Sequence, residues 1–221
     1  MARVDYQQQL IDLREDVVEM SDLVLERYET ALRALESKDV SLAKTVIDGD
    51  EEVNELYLDL EGGCIDLFAL QQPVAGDLRF IASSFKIITD LERIGDLAAN
   101  LAEYAIAAER DRYPEVDVMY IGDEAGSMVS EAMAAYGDGD ADAAREIASR
   151  DDRIDRLCLE ASDAVVEDLI RTEYGDEATE VMDDVSRLLL TIRDLERVGD
   201  HAVNICARTV YMVDHDTELI Y

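Results

Sequence analysis

The chain has 221 residues, 48% of them hydrophobic, with only 2 Pro, 11 Gly and no Trp; it has ample material for a core and favours helices over a sandwich or barrel. Its 53 acidic against 20 basic residues give a formal net charge of -33, which excludes the Lys/Arg-rich face that non-specific DNA binding draws on. Carboxylates are spread along every segment and not gathered in a tail, the pattern of a surface adapted to concentrated salt, so folding is expected to need molar salt.

Helical periodicity runs almost throughout, and breaks in it delimit six expected helices. The first covers about residues 5–37 and ends at Ser37-Lys38-Asp39, where Asp39 can cap the next helix. The second covers about residues 40–70 and stops at Gln71-Gln72-Pro73. Inside it Gly62-Gly63 interrupts the pattern, at about 1 kcal/mol per Gly relative to Ala. The third follows Pro73 to about residue 109, ahead of Tyr113-Pro114. The fourth covers about residues 116–136 and closes at Gly137-Asp138-Gly139. The fifth takes Asp140 as its cap and runs to about residue 173; Tyr174-Gly175-Asp176 then turns the chain into the sixth, which ends near residue 214. No interval reads as a strand. Neither a signal peptide nor an apolar stretch of about 18 residues is present, so a cytoplasmic protein is expected. Cys64, Cys158 and Cys206 are far apart, lack any CxxC spacing and fall where a helical core takes a small apolar side chain, so they are expected to be buried, reduced thiols.

The two halves are related. Asp90-Leu91-Glu92-Arg93-Ile94-Gly95-Asp96 recurs 104 residues later as Asp194-Leu195-Glu196-Arg197-Val198-Gly199-Asp200, and Asn100 matches Asn204. Upstream, Asp39, Asp50, Val53, Leu56 and Leu58 match Asp140, Asp151, Ile154, Leu157 and Leu159 at a spacing of 101. The difference falls in the turn between the second and third helix of each unit, where insertions are tolerated. The expected fold is therefore all-α, two tandem three-helix bundles spanning residues 1–112 and 113–221 and related by an internal repeat.

On a helical wheel Ile87, Leu91, Ile94, Ala98, Leu101 and Ala105 form a core stripe, matched by Leu195, Val198, Ala202 and Ile205. Glu92, Asp96, Asn100 and Glu103 stack on the opposite side, as do Glu196, Asp200 and Asn204. Carboxylates one turn apart repel unless something positive lies between them. Two readings stand on the residues alone: a hard cation held by oxygen ligands, or a solvated face paired with Arg93 and Arg197. A second acidic pair lies on each middle helix, Asp50 with Asn54 and Asp151 with Asp155, and the second unit has the stronger set. His201 lies beside Asp200 but matches Leu97, so the repeat gives it no ligand role.

The doubled motif with its following Asn, together with Gln72-Pro73-Val74-Ala75-Gly76-Asp77-Leu78-Arg79 and Asp50-Glu51-Glu52-Val53-Asn54, resembles the signature of the PhoU family of phosphate-uptake regulators across essentially the whole chain. The resemblance implies two three-helix bundles with pseudo-twofold symmetry. It also implies a cytoplasmic, non-enzymatic regulator that damps uptake through a phosphate ABC transporter and restrains a phosphate-sensing histidine kinase. The family binds iron or zinc clusters in some members and magnesium or manganese in others, at paired Glu/Asp-x-x-x-Asp motifs. Carried across, those motifs are Glu92 and Asp96 with Asp50, and Glu196 and Asp200 with Asp151 and Asp155; Asn54 departs from the pattern, so the first site is expected to bind more weakly. A homodimer and no nucleic-acid partner are expected.

Other functions fit less well. A di-iron carboxylate bundle needs Glu-x-x-His pairs, and neither His201 nor His215 has an acidic residue three positions before it. No Gly-rich phosphate loop, GxSxG or Cys/His arrangement occurs. A metal-free helical scaffold or adaptor is the remaining alternative.

Overall fold

Eight helices form where six are expected among the described residues, because the middle helix of each unit breaks in two. The computed structural model describes residues 2–70, 74–107, 116–171 and 178–220. α1 is Ala2–Ser37, α2 Val40–Asp48, α3 Asp50–Leu70 and α4 Ala75–Ala107. The second unit repeats the order with α5 Val118–Asp138, α6 Ala141–Ala148, α7 Asp151–Arg171 and α8 Ala178–Asp214. The expected boundary between residues 112 and 113, and the turns at residues 71–73 and 174–176, lie outside the described residues.

The chemistry of the chain explains each end. Asp39 accepts from the backbone N–H groups of Ser41 and Leu42, Asp117 from that of Tyr120, and Asp140 from that of Ala143, so short acidic caps satisfy the first turns of α2, α5 and α6. Gly139 closes α5 at φ 66°, the left-handed conformation that glycine adopts without steric cost.

The breaks occur at matching places. Between α2 and α3 the chain turns at Gly49, where a Cβ would lie 2.9 Å from the Arg27 guanidinium; Arg27 in turn bonds Glu52 at 2.7 Å. In the second unit Ser149 and Arg150 donate back to Arg145 and Ile147 and end α6. Each break starts a new helix with acids in its first turn, Asp50, Glu51 and Glu52 in α3 and Asp151 and Asp152 in α7, where the positive end of the helix dipole favours them. α2 and α3 both pack on α4, and α6 and α7 both pack on α8.

α4 and α8 lie at the centre, each packed against its own unit and against the other. Ile87, Leu91, Ile94, Ala98, Leu101 and Ala105 are buried, as are Leu195, Val198, Ala202 and Ile205, so both expected core stripes are core. Where α1 meets α5, the buried Tyr28 hydroxyl donates to the Gly122 carbonyl at 2.9 Å, and a Cβ on Gly122 would meet Leu32 at 2.7 Å. Cys64, Cys158 and Cys206 are buried and unpaired, and burial pushes each thiol up to about 12.

Candidate metal centre and the seam between units

In the second unit the two acidic pairs face each other. Asp151 and Asp155 rise one turn apart on α7, and Glu196 and Asp200 do the same on α8. At this approach Ile154 and Asp151 lie 3.5 Å from where a Gly199 Cβ would be, ordinary van der Waals contact. One carboxylate oxygen each from Asp151, Asp155 and Asp200 lies within 4.8 Å of the others. The wheel reading that these ladders point away from their own bundle is thus corrected. α7 packs on α8 and brings Asp151 and Asp155 to that face, with Asp155 and Asp200 still exposed.

The electrostatics reflect the crowding. The Asp151 carboxyl is pushed up to about 6, first by burial and then by the charges of Asp155, Asp200, Asp152 and Glu196. Glu196 and Asp200 are also raised, by burial and then by Asp155, although Arg197 and His201 oppose the shift at Asp200. Asp151 Oδ1 is buried with no hydrogen-bond partner. The nearby guanidinium of Arg197 reaches Asp194, at 3.6 Å. An orphaned buried oxygen facing a purely oxygen donor set fits a hard cation.

The first unit has the same frame with different chemistry. Gly95 admits Val53, 3.1 Å from where a Cβ would be, and brings Asp50 beside Glu92 and Asp96. Here Asn54 donates to Asp50 at 3.0 Å, and Arg93 pairs with Glu92 and with Asp96, each at 3.4 Å. Burial and the charge of Asp96 raise Asp50 and Glu92, while Asn54 and Arg93 respectively work against the rise. The first cluster thus has an arginine against both of its α4 acids, whereas the corresponding Arg197 of the second turns to Asp194.

A model of the family described as "PhoU domain" matches residues 17–105 and again residues 118–209. The chain is 36% identical over 214 residues to "Phosphate-specific transport system accessory protein PhoU homolog 1" of Methanothermobacter thermautotrophicus, covering 96% of this chain and 95% of that one. It is 35% identical to the homologue of Pseudomonas aeruginosa, covering 93% and 84%. The chain belongs to the PhoU family. Its fold superimposes on the crystal structure of PhoU from P. aeruginosa with a TM-score of 0.89 at 33% identity, covering 96% of this chain and all of that one. The regulatory protein PhoU from Streptococcus pneumoniae gives 0.87 at 29% identity, covering 96% and 98%. Both acidic clusters lie inside the two matched PhoU segments.

The PhoU repeat also contains a structural pair that the sequence reading missed. Asn100 and Asn204, expected to extend the acidic ladders, turn instead to the opposite unit. Asn204 donates to Asp90 at 3.0 Å and Asn100 to Asp194 at 3.4 Å, so α4 and α8 run antiparallel with reciprocal Asp–Asn contacts. Asp194 is fully buried and also accepts from the Tyr104 hydroxyl at 2.9 Å and from Arg193 at 2.8 Å. Asp90 meets His201 Nδ1 at 2.9 Å. His201 therefore belongs to the seam, and the repeated first Asp of each motif was the available signal.

Proposed function

We propose that this PhoU-family chain is a non-catalytic accessory protein that regulates phosphate uptake. It acts by contact with a phosphate ABC transporter at the cytoplasmic face, and with a phosphate-sensing histidine kinase where one is present. The observation that carries this reading is the likeness through both repeat units to relatives named as accessory proteins of a phosphate-specific transport system. Among the described residues no helix is long and apolar enough to cross a membrane. Adaptation of the charged surface to concentrated salt and assembly as a homodimer belong to the same proposal.

The second cluster is assigned a metal in this reading. Asp151, Asp155 and Asp200, with Glu196 beside them, would hold magnesium, manganese or ferric iron; zinc suits an all-oxygen set less well. A bound cation supplies the positive charge that lets converging carboxylates stay ionised. The chain supplies the rest: α7 and α8 bring the two acidic pairs together, and the acids of the first α7 turn rest on the helix dipole.

Two experiments test the proposal separately. A strain lacking the chain should take up labelled phosphate faster under phosphate excess, with restoration by the wild-type gene; unchanged uptake overturns the regulator reading. Calorimetric titration with manganese, magnesium, zinc and iron should show a stronger site lost in Glu196→Ala/Asp200→Ala and a weaker one lost in Glu92→Ala/Asp96→Ala. Equal, negligible binding in all three proteins would leave a metal-free adaptor.

A further inference from the structure

α3 and α7 show their outer faces to solvent, and those faces are not alike. On α3, Leu58 and Ile65 are 60% and 53% exposed, and the exposed Gly62 and Ala69 complete one stripe at helical spacing. Single exposed apolar residues need no explanation, but a continuous stripe along about three turns does. Gly62 sharpens the point. Nothing lies within 4 Å of where its Cβ would be, and the same holds for Gly63. Two adjacent helix-interior glycines each cost about 1 kcal/mol relative to alanine, and no close approach within this chain requires them. What they provide is a flat section of bare backbone between Leu58 and Ile65.

The charge beside the stripe has one sign. Glu55, Asp59 and Asp66 run along one edge, and α3 contains no Lys or Arg at all. Beyond that edge lies a groove of about 250 Å³ between α1 and α3, floored by Leu13, Leu60, Gly63 and Leu67 and walled by Asp12, Asp16, Asp59 and Asp66. Burial, then Asp12 and Glu19, raises Asp16. α7 provides the internal comparison. It keeps Leu159, Val166 and Ile170 in the stripe, at 62%, 40% and 80% exposure, but puts Asp163 where α3 has Gly62. Its acidic edge is interrupted by Arg156 in the place of Glu55 and Arg153 in the place of Glu52; Arg153 pairs with Glu124 at 3.1 Å and Arg171 with Glu167. α7 thus carries arginines along the edge where α3 carries only acids, of which, among the described residues, Glu52 alone has an arginine against it, Arg27 of α1.

We propose that the outer face of α3 is a docking surface for an amphipathic helix of a partner protein, one whose apolar stripe is bordered by Lys or Arg. Leu58, Ile65 and Ala69 meet the apolar stripe, Gly62 admits close backbone approach, and Glu55, Asp59 and Asp66 with the groove receive the basic side chains. Charge complementarity selects this occupant over a second copy of the chain, whose α3 would bring the same carboxylates to the interface.

The test uses the full chain at the lowest salt concentration at which circular dichroism shows it folded, where screening of the acidic edge is least, and a synthetic amphipathic helix of Leu, Ala and Lys as the probe. A control peptide has Glu in place of Lys. The Lys peptide should bind and the Glu peptide should not. Leu58→Lys/Ile65→Lys should weaken binding by about tenfold or more, whereas Leu159→Lys/Val166→Lys should change it by about twofold at most. All four positions are exposed, and circular dichroism verifies that both variants keep their helices. Hydrogen exchange should show peptide-dependent protection within α3. Equal loss in both variants would reduce the binding to bulk charge attraction and overturn the proposal, as would no binding of the Lys peptide. A dimer of the free chain that dissociates on Leu58→Lys/Ile65→Lys would also overturn it, by assigning the face to a second copy.

Discussion

Replacing Asp194 by alanine should cost more than replacing Asp90, although the two hold the same place in the repeated motif. Asp194 is fully buried and accepts the Tyr104 hydroxyl at 2.9 Å, a hydrogen bond to a charged group worth about 1.5–3 kcal/mol. The Asn100 contact at 3.4 Å adds little. Arg193 and Arg197 are 55% and 44% exposed, so their guanidinium groups rehydrate and add under about 1 kcal/mol. The total is about 2–3 kcal/mol, which for a chain of this length lowers Tm by about 5–10 °C. Asp90 is 15% exposed and meets His201 at 2.9 Å and the exposed Asn204 at 3.0 Å, so Asp90→Ala should cost about 1–1.5 kcal/mol, or about 2–5 °C. Thermal unfolding followed by circular dichroism at one fixed salt concentration makes the comparison. Adding Tyr104→Phe completes a double-mutant cycle, in which a coupling of about 1 kcal/mol or more is expected with Asp194. Equal costs at the two positions, or no coupling, would refute the view that the buried phenol–carboxylate bond holds the seam.

The same geometry sets three further outcomes. In the presence of chelator, Asp155→Asn should stabilise the protein by about 1 kcal/mol at neutral pH, because the new amide can donate to Asp151 as Asn54 does to Asp50, and one repelling charge is gone. Asp151 titrates at about 6 when folded against 3.8 as its ordinary value, so the penalty is absent below the lower value and complete above the upper one; stability curves at acid and neutral pH should show the gain only at neutral pH. Gly62→Ala, with open space around it, should raise stability by about 1 kcal/mol, while Gly122→Ala, driven into Leu32, should lower it by about 1–3 kcal/mol; denaturant midpoints measure both. Dialysis from molar salt to about 0.1 M should lose helical circular dichroism through unscreened repulsion of the -33 charge, and full helicity there would refute salt adaptation.

Much of the architecture was legible because the repeat and the 3.6-residue period are strong signals over long helices. The core stripes through Leu91 and Leu195 needed nothing more. The breaks at Gly49 and at Ser149-Arg150 were harder to see. The apolar period continues through both, and only the acids just after them announce a second helix start. The residues Asp151, Asp155, Glu196 and Asp200 could be named from the pattern, but their convergence depends on the direction of α7, which a wheel for one helix cannot contain. Asn100 and Asn204 were placed on the right side of their helices and given the wrong neighbours for the same reason.

The reciprocal contacts of Asp90 with Asn204 and of Asp194 with Asn100 describe a surface able to close on a copy of itself. A single three-helix unit carrying that Asp and Asn on its last helix would form an isologous pair. Joining two such units in one chain makes their meeting intramolecular, so neither copy need remain self-complementary. They have diverged where this permits: Tyr104 stands where the second unit has Arg208, and His201 where the first has Leu97. Each of these unmatched side chains bonds the Asp of the other unit. By the repeat, a pair of first units would offer each Asp90 a Tyr104 phenol, and a pair of second units would offer each Asp194 a His201 imidazole. Only the mixed seam sets a phenol against one carboxylate and an imidazole against the other, so the two halves of one motif meet different chemistry.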